Sequence, residues 1–252
     1  KSDGNPFFVF EIIRGLKEDQ RIAQRPDGSW VTTQIIESLD APSSVLDLVN
    51  ARVADLEDAE RDLLDAAACC GFEFDPLLVG DALGLTRILV LKRLAQVERR
   101  HRLVRSKGTH YVFDHHQVQE ALYRSTNALL RQEYHRAIAE ASERRLGVDG
   151  DGGGAVGGRE SVGLFEHLVR AGEGERALPY LHPALDHLQR AALYESMWQL
   201  AREALEPDGL VEGGERVQVL RRAAWALQYM GRYEDMEAVF DEALSLARSS
   251  AD

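Results

Sequence analysis

Three histidines, His110, His115 and His116, fall within seven positions, and the only two cysteines, Cys69 and Cys70, stand side by side. Imidazole and thiolate are the usual zinc ligands, but a structural zinc site needs four of them at set spacings. No carboxylate or cysteine stands at ligand spacing from the histidines, so no metal site is expected. The cysteines lie inside a helical pattern, where a disulfide between neighbours would be strained. Reduced thiols and a cytoplasmic setting follow. Nucleophile elbows carry Gly-x-Ser-x-Gly, zinc peptidases His-Glu-x-x-His, and phosphate loops Gly-x-x-x-x-Gly-Lys-Ser/Thr. The sequence holds none of these. The chain is therefore expected to catalyse nothing by itself.

Charge offers the other chemistry. The 252 residues carry 30 Lys and Arg against 42 Asp and Glu, a net charge of −12, which makes the whole chain a poor binder of polyanions. The distribution is uneven. Between Leu85 and His110 stand Arg87, Lys92, Arg93, Arg99, Arg100, Arg102, Arg105 and Lys107, opposed only by Glu98. That stretch carries +7 and the remainder −19. It reads either as a solvated helix face or as a patch that meets phosphate or a partner.

The elements that must carry these residues are mostly helices. Asn5 and Pro6 open a first helix with Phe7, Phe8, Phe10, Ile12, Ile13 and Leu16 at helical spacing. Ile22-Ala23 and Trp30-Val31-Thr32-Thr33 flank Pro26-Asp27-Gly28, a hairpin signal. Ser44 caps a helix ending near Leu56, and a second helix, with Leu63, Leu64, Ala67 and Ala68, stops at Gly71. Asp75 caps a third as far as Gly84, and Thr86 a fourth with Ile88, Leu89, Leu91, Leu94 and Val97. Leu103-Val104-Arg105 and Tyr111-Val112-Phe113 read as strands around Ser106-Lys107-Gly108-Thr109. Three helices followed by a hairpin is the order of a winged helix. From Val118 the helical period continues to about Leu146.

Seven glycines between Gly147 and Gly158 predict a flexible linker and a domain boundary. Beyond it Leu181, Ala184, Leu185, Leu188, Ala192, Tyr194, Met197, Ala201 and Ala204 recur 39 residues later. Their counterparts are Leu220, Ala223, Ala224, Leu227, Gly231, Tyr233, Met236, Phe240 and Ala243. Both sets fit tetratricopeptide spacing, with Pro207-Asp208-Gly209 and Gly213-Gly214 absorbing the extra length. Without an apolar run of some 18–20 residues, no membrane helix is expected. No signal peptide is read at Lys1-Ser2-Asp3-Gly4, and a start lacking Met inside a motif predicts a fragment of a longer protein.

Gly4-Asn5-Pro6-Phe7-Phe8-Val9-Phe10-Glu11-Ile12-Ile13 resembles the Gly-x-Pro segment of STAND ATPases, signal-transduction P-loop NTPases with numerous domains. The similarity is greatest to the bacterial branch linked to adenylate cyclases, serine/threonine kinases and helix-turn-helix regulators. Asp27-Gly28-Ser29-Trp30, Pro42-Ser43-Ser44-Val45, Glu60-Arg61-Asp62-Leu63-Leu64 and Gly71-Phe72-Glu73-Phe74 follow in that branch's order. So do Tyr111-Val112-Phe113-Asp114-His115 and Glu120-Ala121-Leu122-Tyr123. The resemblance implies a C-terminal fragment lacking the P-loop domain. ATP or ADP with Mg belongs to the parent protein, and no cofactor to the fragment. It further implies that Pro6 sits against the nucleotide base and that His115, with His116 adjacent, reads the ADP β-phosphate.

The expected architecture is mostly α, a winged-helix domain with small β-hairpins followed by a tetratricopeptide-like solenoid. The divisions are 1–42, the end of the NTPase helical arm plus a hairpin; 43–146, the winged helix and following helices; 147–158, the linker; and 159–252, the repeats. The expected function is regulatory, coupling partner binding on the repeats to nucleotide state. The expected partner is a protein or the chain's own nucleotide domain, with weak self-association through 215–250 and no membrane. The competing reading is a DNA-binding winged helix, with the helix from Thr86 in the groove.

Overall fold

The computed structural model describes residues 22–25, 30–32, 52–148, 156–206 and 210–249, with Ile13, Lys17 and Gly28 singly beside them. The expected helix over 7–16 apart from Ile13, most of the helix from Ser44, the glycines of 149–155 and Pro207-Asp208-Gly209 lie outside the described residues. The early hairpin forms as its Asp-Gly signal predicts. Strands β1 (Ile22–Gln24) and β2 (Trp30–Thr32) pair antiparallel, Ile22 opposite Thr32. Gly28 turns between them with φ 85°, a left-handed conformation that spares a residue without Cβ.

Caps fix the next elements. Helix α1 (Asp58–Cys70) starts where the Glu60 carboxylate accepts the Glu57 N–H at 3.2 Å, and it ends at Gly71, φ 115°. Strand β3 (Glu73–Phe74) follows. Helix α2 (Pro76–Ala82) carries Pro at its first position, and Asp75 accepts the Leu77 N–H at 2.8 Å. Helix α3 (Arg87–Arg100) is capped by Thr86. Strands β4 (Val104–Lys107) and β5 (His110–Phe113) are each longer toward the turn than the sequence suggests, leaving Gly108-Thr109 as the two-residue connection. The sheet order is β3-β5-β4, with both pairings antiparallel.

The helical period after the hairpin hides a break. Helix α4 (His116–Ser125) stops at Thr126, whose ψ of 133° is extended, and Asn127 caps helix α5 (Ala128–Leu146) by accepting the Leu129 N–H at 2.9 Å. Side chains of Ser, Thr and Asn that bond nearby backbone favour such junctions over helix interiors.

The C-terminal part is α6 (Gly158–Arg170), α7 (Gly174–Arg190), α8 (Tyr194–Leu205), α9 (Gly213–Tyr229) and α10 (Tyr233–Ser249), each packed on its chain neighbour. Three of their turns are alike. Glu173, Leu193 and Arg232 donate their N–H groups to the carbonyls of Leu168, Leu188 and Leu227 respectively, at 2.9–3.0 Å. The residue before each donor is left-handed: Gly172 at 77°, Ala192 at 55° and Gly231 at 72°. The 39-residue correspondence holds at the buried Leu181 and Leu220, Ala184 and Ala223, and Leu188 and Leu227. It fails at Ala201, which is buried where Phe240 is exposed.

Two cores result. The first gathers Leu63 and Leu64 of α1, Val90, Leu94 and Val97 of α3, Phe113 of β5 and Ile138 of α5. The second gathers Leu164, Leu181, Leu200 and Leu220 of α6–α9 with Ala139 of α5. Helix α5 therefore contributes to both. No described helix is long and apolar enough to cross a membrane.

Candidate functional site

The cationic stretch lies along α3 and the β4–β5 hairpin. Arg87, Lys92, Arg99, Arg102, Arg105 and Lys107 are exposed and Arg93 is half-buried. Two of the eight are neutralised: Arg100 meets Glu57 at 3.1 Å and Lys107 meets Glu73 at 2.7 Å. Glu98, the one acid of the stretch, accepts the Ser106 N–H at 3.1 Å and ties the hairpin to α3. Among the described residues no carboxylate forms an ion pair with Arg87, Lys92, Arg93, Arg99, Arg102 or Arg105.

The same helix exposes aliphatic side chains. Its inward face needs only Val90, Leu94 and Val97, so Ile88 is 68% exposed, Leu91 43% and Leu89 37%. At 100° per residue, Ile88 and Leu91 flank Ala95 on one stripe, with Lys92 and Arg99 along its border. An apolar stripe with a cationic border suits a protein surface. It suits base edges poorly, because aliphatic groups find only the thymine methyl to contact in the major groove.

His115 occupies the N-cap of α4, half-buried, and its Nδ1 accepts the Gln117 N–H at 3.3 Å. That bond consumes the Nδ1 lone pair and leaves the proton on Nε2 in the neutral ring. The neighbouring His116 stacks its ring on Phe72, with centroids 3.8 Å apart. Pro6 lies outside the described residues, so the base contact expected of it has no described geometry.

Sequence reasoning missed the joint between the two cores. His135 on α5 and His167 on α6 touch Nδ1 to Nδ1 at 2.8 Å, and Tyr123 Oη lies 3.2 Å from His135 Nε2. One proton serves the contact, donated by whichever ring carries it on Nδ1. Burial first, then the proximity of His167, Arg170 and Arg131, holds His135 down to about 3. Burial and then Arg170 hold His167 down to about 4. Nearby, Glu173 at the α6–α7 turn pairs with both Arg136 and Arg176. Arg176 also reaches Glu143 at 2.7 Å, and Tyr180 donates to Glu143 at 3.1 Å. Burial opposes ionisation of Glu173, yet Arg136 and Arg176 hold its carboxyl below the usual range. At its other side α5 is clasped to the first unit: Arg145 reaches Asp75 at 2.6 Å and Asp81 at 2.8 Å.

Two further features have no established use. A cleft of about 450 Å³ is lined by Cys69, Cys70, Gln119, Tyr123, Glu166, His167 and Arg170. Burial, then Asp65, pushes the Cys69 thiol up to about 12, and burial pushes Cys70 up as well, so neither is a ready nucleophile. On α8 and α9, Tyr194 stacks on Tyr229 with centroids 4.6 Å apart beside the exposed Trp225. Among the described residues no three His, Cys, Asp or Glu are grouped to hold a metal ion. No family model, curated protein or solved structure matches the chain.

Proposed function

We propose that the chain is a non-catalytic regulatory module of a STAND-type ATPase. In this reading 43–146 is a winged-helix unit and 159–252 a tetratricopeptide-like stack. The stack receives a protein partner or an autoinhibitory contact, and the winged-helix unit relates that event to nucleotide state in an upstream domain that holds ATP or ADP with Mg. The order α1–β3–α2–α3–β4–β5 and the sheet order β3-β5-β4 support the first assignment. The three like turns at Gly172, Ala192 and Gly231 support the second. One observation carries the coupling: α5 belongs to both cores and is pinned by Arg145 on one side and by Arg136 and Glu143 on the other. A helix packed into both cores is a physical route by which a change in one can bias the other. His115, at the N-cap of α4, is the residue that the resemblance offers to a phosphate oxygen. The module works in the cytoplasm.

The alternative, a DNA-binding winged helix with a helical sensor, draws on the +7 stretch. The exposed Ile88, Leu89 and Leu91 weigh against it. Titration of the chain with duplex DNA at physiological salt separates the two. A docking module gives only the weak nonspecific range, about 10⁻⁴–10⁻⁶ M. Nanomolar, sequence-selective binding that vanishes in the Arg99→Glu, Arg100→Glu double variant would establish the DNA reading instead.

A further inference from the structure

The outward face of α3 has a counterpart on the same molecule. Helix α10 packs on α9 through Met236, Val239, Ala243 and Leu246. Its outer side exposes Tyr233, Phe240 and Leu244, the last two 44% and 51% exposed. At 100° per residue these three share a stripe, and Glu237 and Asp241 run along its edge. Asp235 and Glu242 of the same helix are already neutralised, by Arg232 at 2.7 Å and Arg216 at 2.6 Å. Among the described residues, Glu234, Glu237 and Asp241 form no ion pair. Helix α3 presents the inverse arrangement, Ile88 and Leu91 bordered by Lys92 and Arg99.

We propose that the α3 face of one molecule docks the α10 face of a second copy, head to tail. The inference rests on reading α3 as a protein-docking helix and names its partner. Chains of net charge −12 repel one another in any arrangement that does not oppose unlike patches. Setting Lys92 and Arg99 against the acidic edge of α10 offsets this repulsion while covering both apolar stripes. Each stripe is of similar scale: Ile88 to Ala95 spans about 10 Å along its axis and Tyr233 to Leu244 about 16 Å. The two faces differ, so each contact pairs α3 of one molecule with α10 of the other. Where both faces of one molecule reach the same neighbour the pairing closes as a two-fold dimer, and where they do not, each added molecule leaves one α3 and one α10 face open and the assembly grows as a chain or closes as a ring.

Sedimentation velocity over a concentration series tests this. At about 0.1 M salt the sedimentation coefficient rises with concentration, and the rise is largely lost at about 1 M, where the screening length falls from about 10 Å to about 3 Å. Lys92→Glu with Arg99→Glu, and separately Glu237→Lys with Asp241→Lys, each abolish the rise. Circular dichroism of both variants checks that they fold, since all four side chains are exposed. The two variants mixed together associate, as does the chain carrying all four substitutions, because opposite charges face again. A wild-type chain monomeric up to about 1 mM overturns the proposal. So does association that the single-helix variants keep, or that the four substitutions together fail to restore. A monomeric result leaves α3 as a docking helix for another protein. That broader reading falls only with the tight duplex binding described above.

Discussion

Lowering the pH below neutrality loads the joint between the two cores. In the unfolded chain His135 and His167 titrate near their ordinary 6.5. In the folded chain they resist protonation down to about 3 and about 4. The unfolded state therefore takes up protons first. Stability is intact above pH 6.5 and is lost progressively as the pH falls from 6.5 toward 4. One unit below 6.5 each ring contributes about 1.4 kcal/mol of loss, so pH 5.5 removes about 3 kcal/mol for the pair. In a chain of this size that lowers the melting temperature by roughly 6–12 °C. Glu166, whose carboxyl burial pushes up, acts in the opposite sense, so the comparison is made against a variant. His135→Gln keeps a donor and an acceptor for Tyr123 and His167 but does not titrate. Calorimetric melts of wild type and variant at pH 7.5 and 5.5 give the answer. The account predicts that the variant loses about half as much as wild type. Equal losses in the two proteins, or no loss in wild type, refute the neutral pair at the joint.

Two further outcomes follow from local geometry. Gly231→Val forces a β-branched residue to φ 72°, although a Cβ there would meet nothing within 4 Å, so the loss is backbone strain of about 1 kcal/mol or more and appears as a lower urea midpoint. Cys69 is free but buried, so a thiol reagent at pH 8 labels it only as fast as the protein opens, and its labelling in seconds without denaturant would contradict that burial.

Local signals were legible and long-range ones were not. Asp75 and Thr86 were readable as caps because an N-cap acts on backbone two or three residues away. Gly71 and the Asp-Gly hairpin were readable for the same reason. Strand β3 was not, since two residues show no alternation and Glu73-Phe74 is a strand only because β5 pairs with it. The break at Thr126-Asn127 was masked by apolar residues that keep their period across it. Periodicity in α3 marked Ile88 and Leu91 as apolar but could not say that Val90, Leu94 and Val97 alone would fill the core. The cationic stretch was legible as charge, whereas its pairing with Glu57 and Glu73 was not. His135 and His167 stand 32 residues apart on different helices, a separation that carries no signal in one sequence.

Coupling through α5 is the central claim, and hydrogen exchange at increasing urea tests it most directly. Amides of α1 and α3, in the first core, are followed beside those of α7 and α9, in the second. A shared helix makes the two sets open together with one free energy. Replacing Glu143 and Glu173 by Ala removes the carboxylates that Arg136, Arg176 and Tyr180 hold, a loss of roughly 1.5–3 kcal/mol for each charged hydrogen-bonding group. In that variant α6–α10 should open first, at lower urea, while α1–α3 keep their protection. Two independent openings in the wild-type chain would contradict the account.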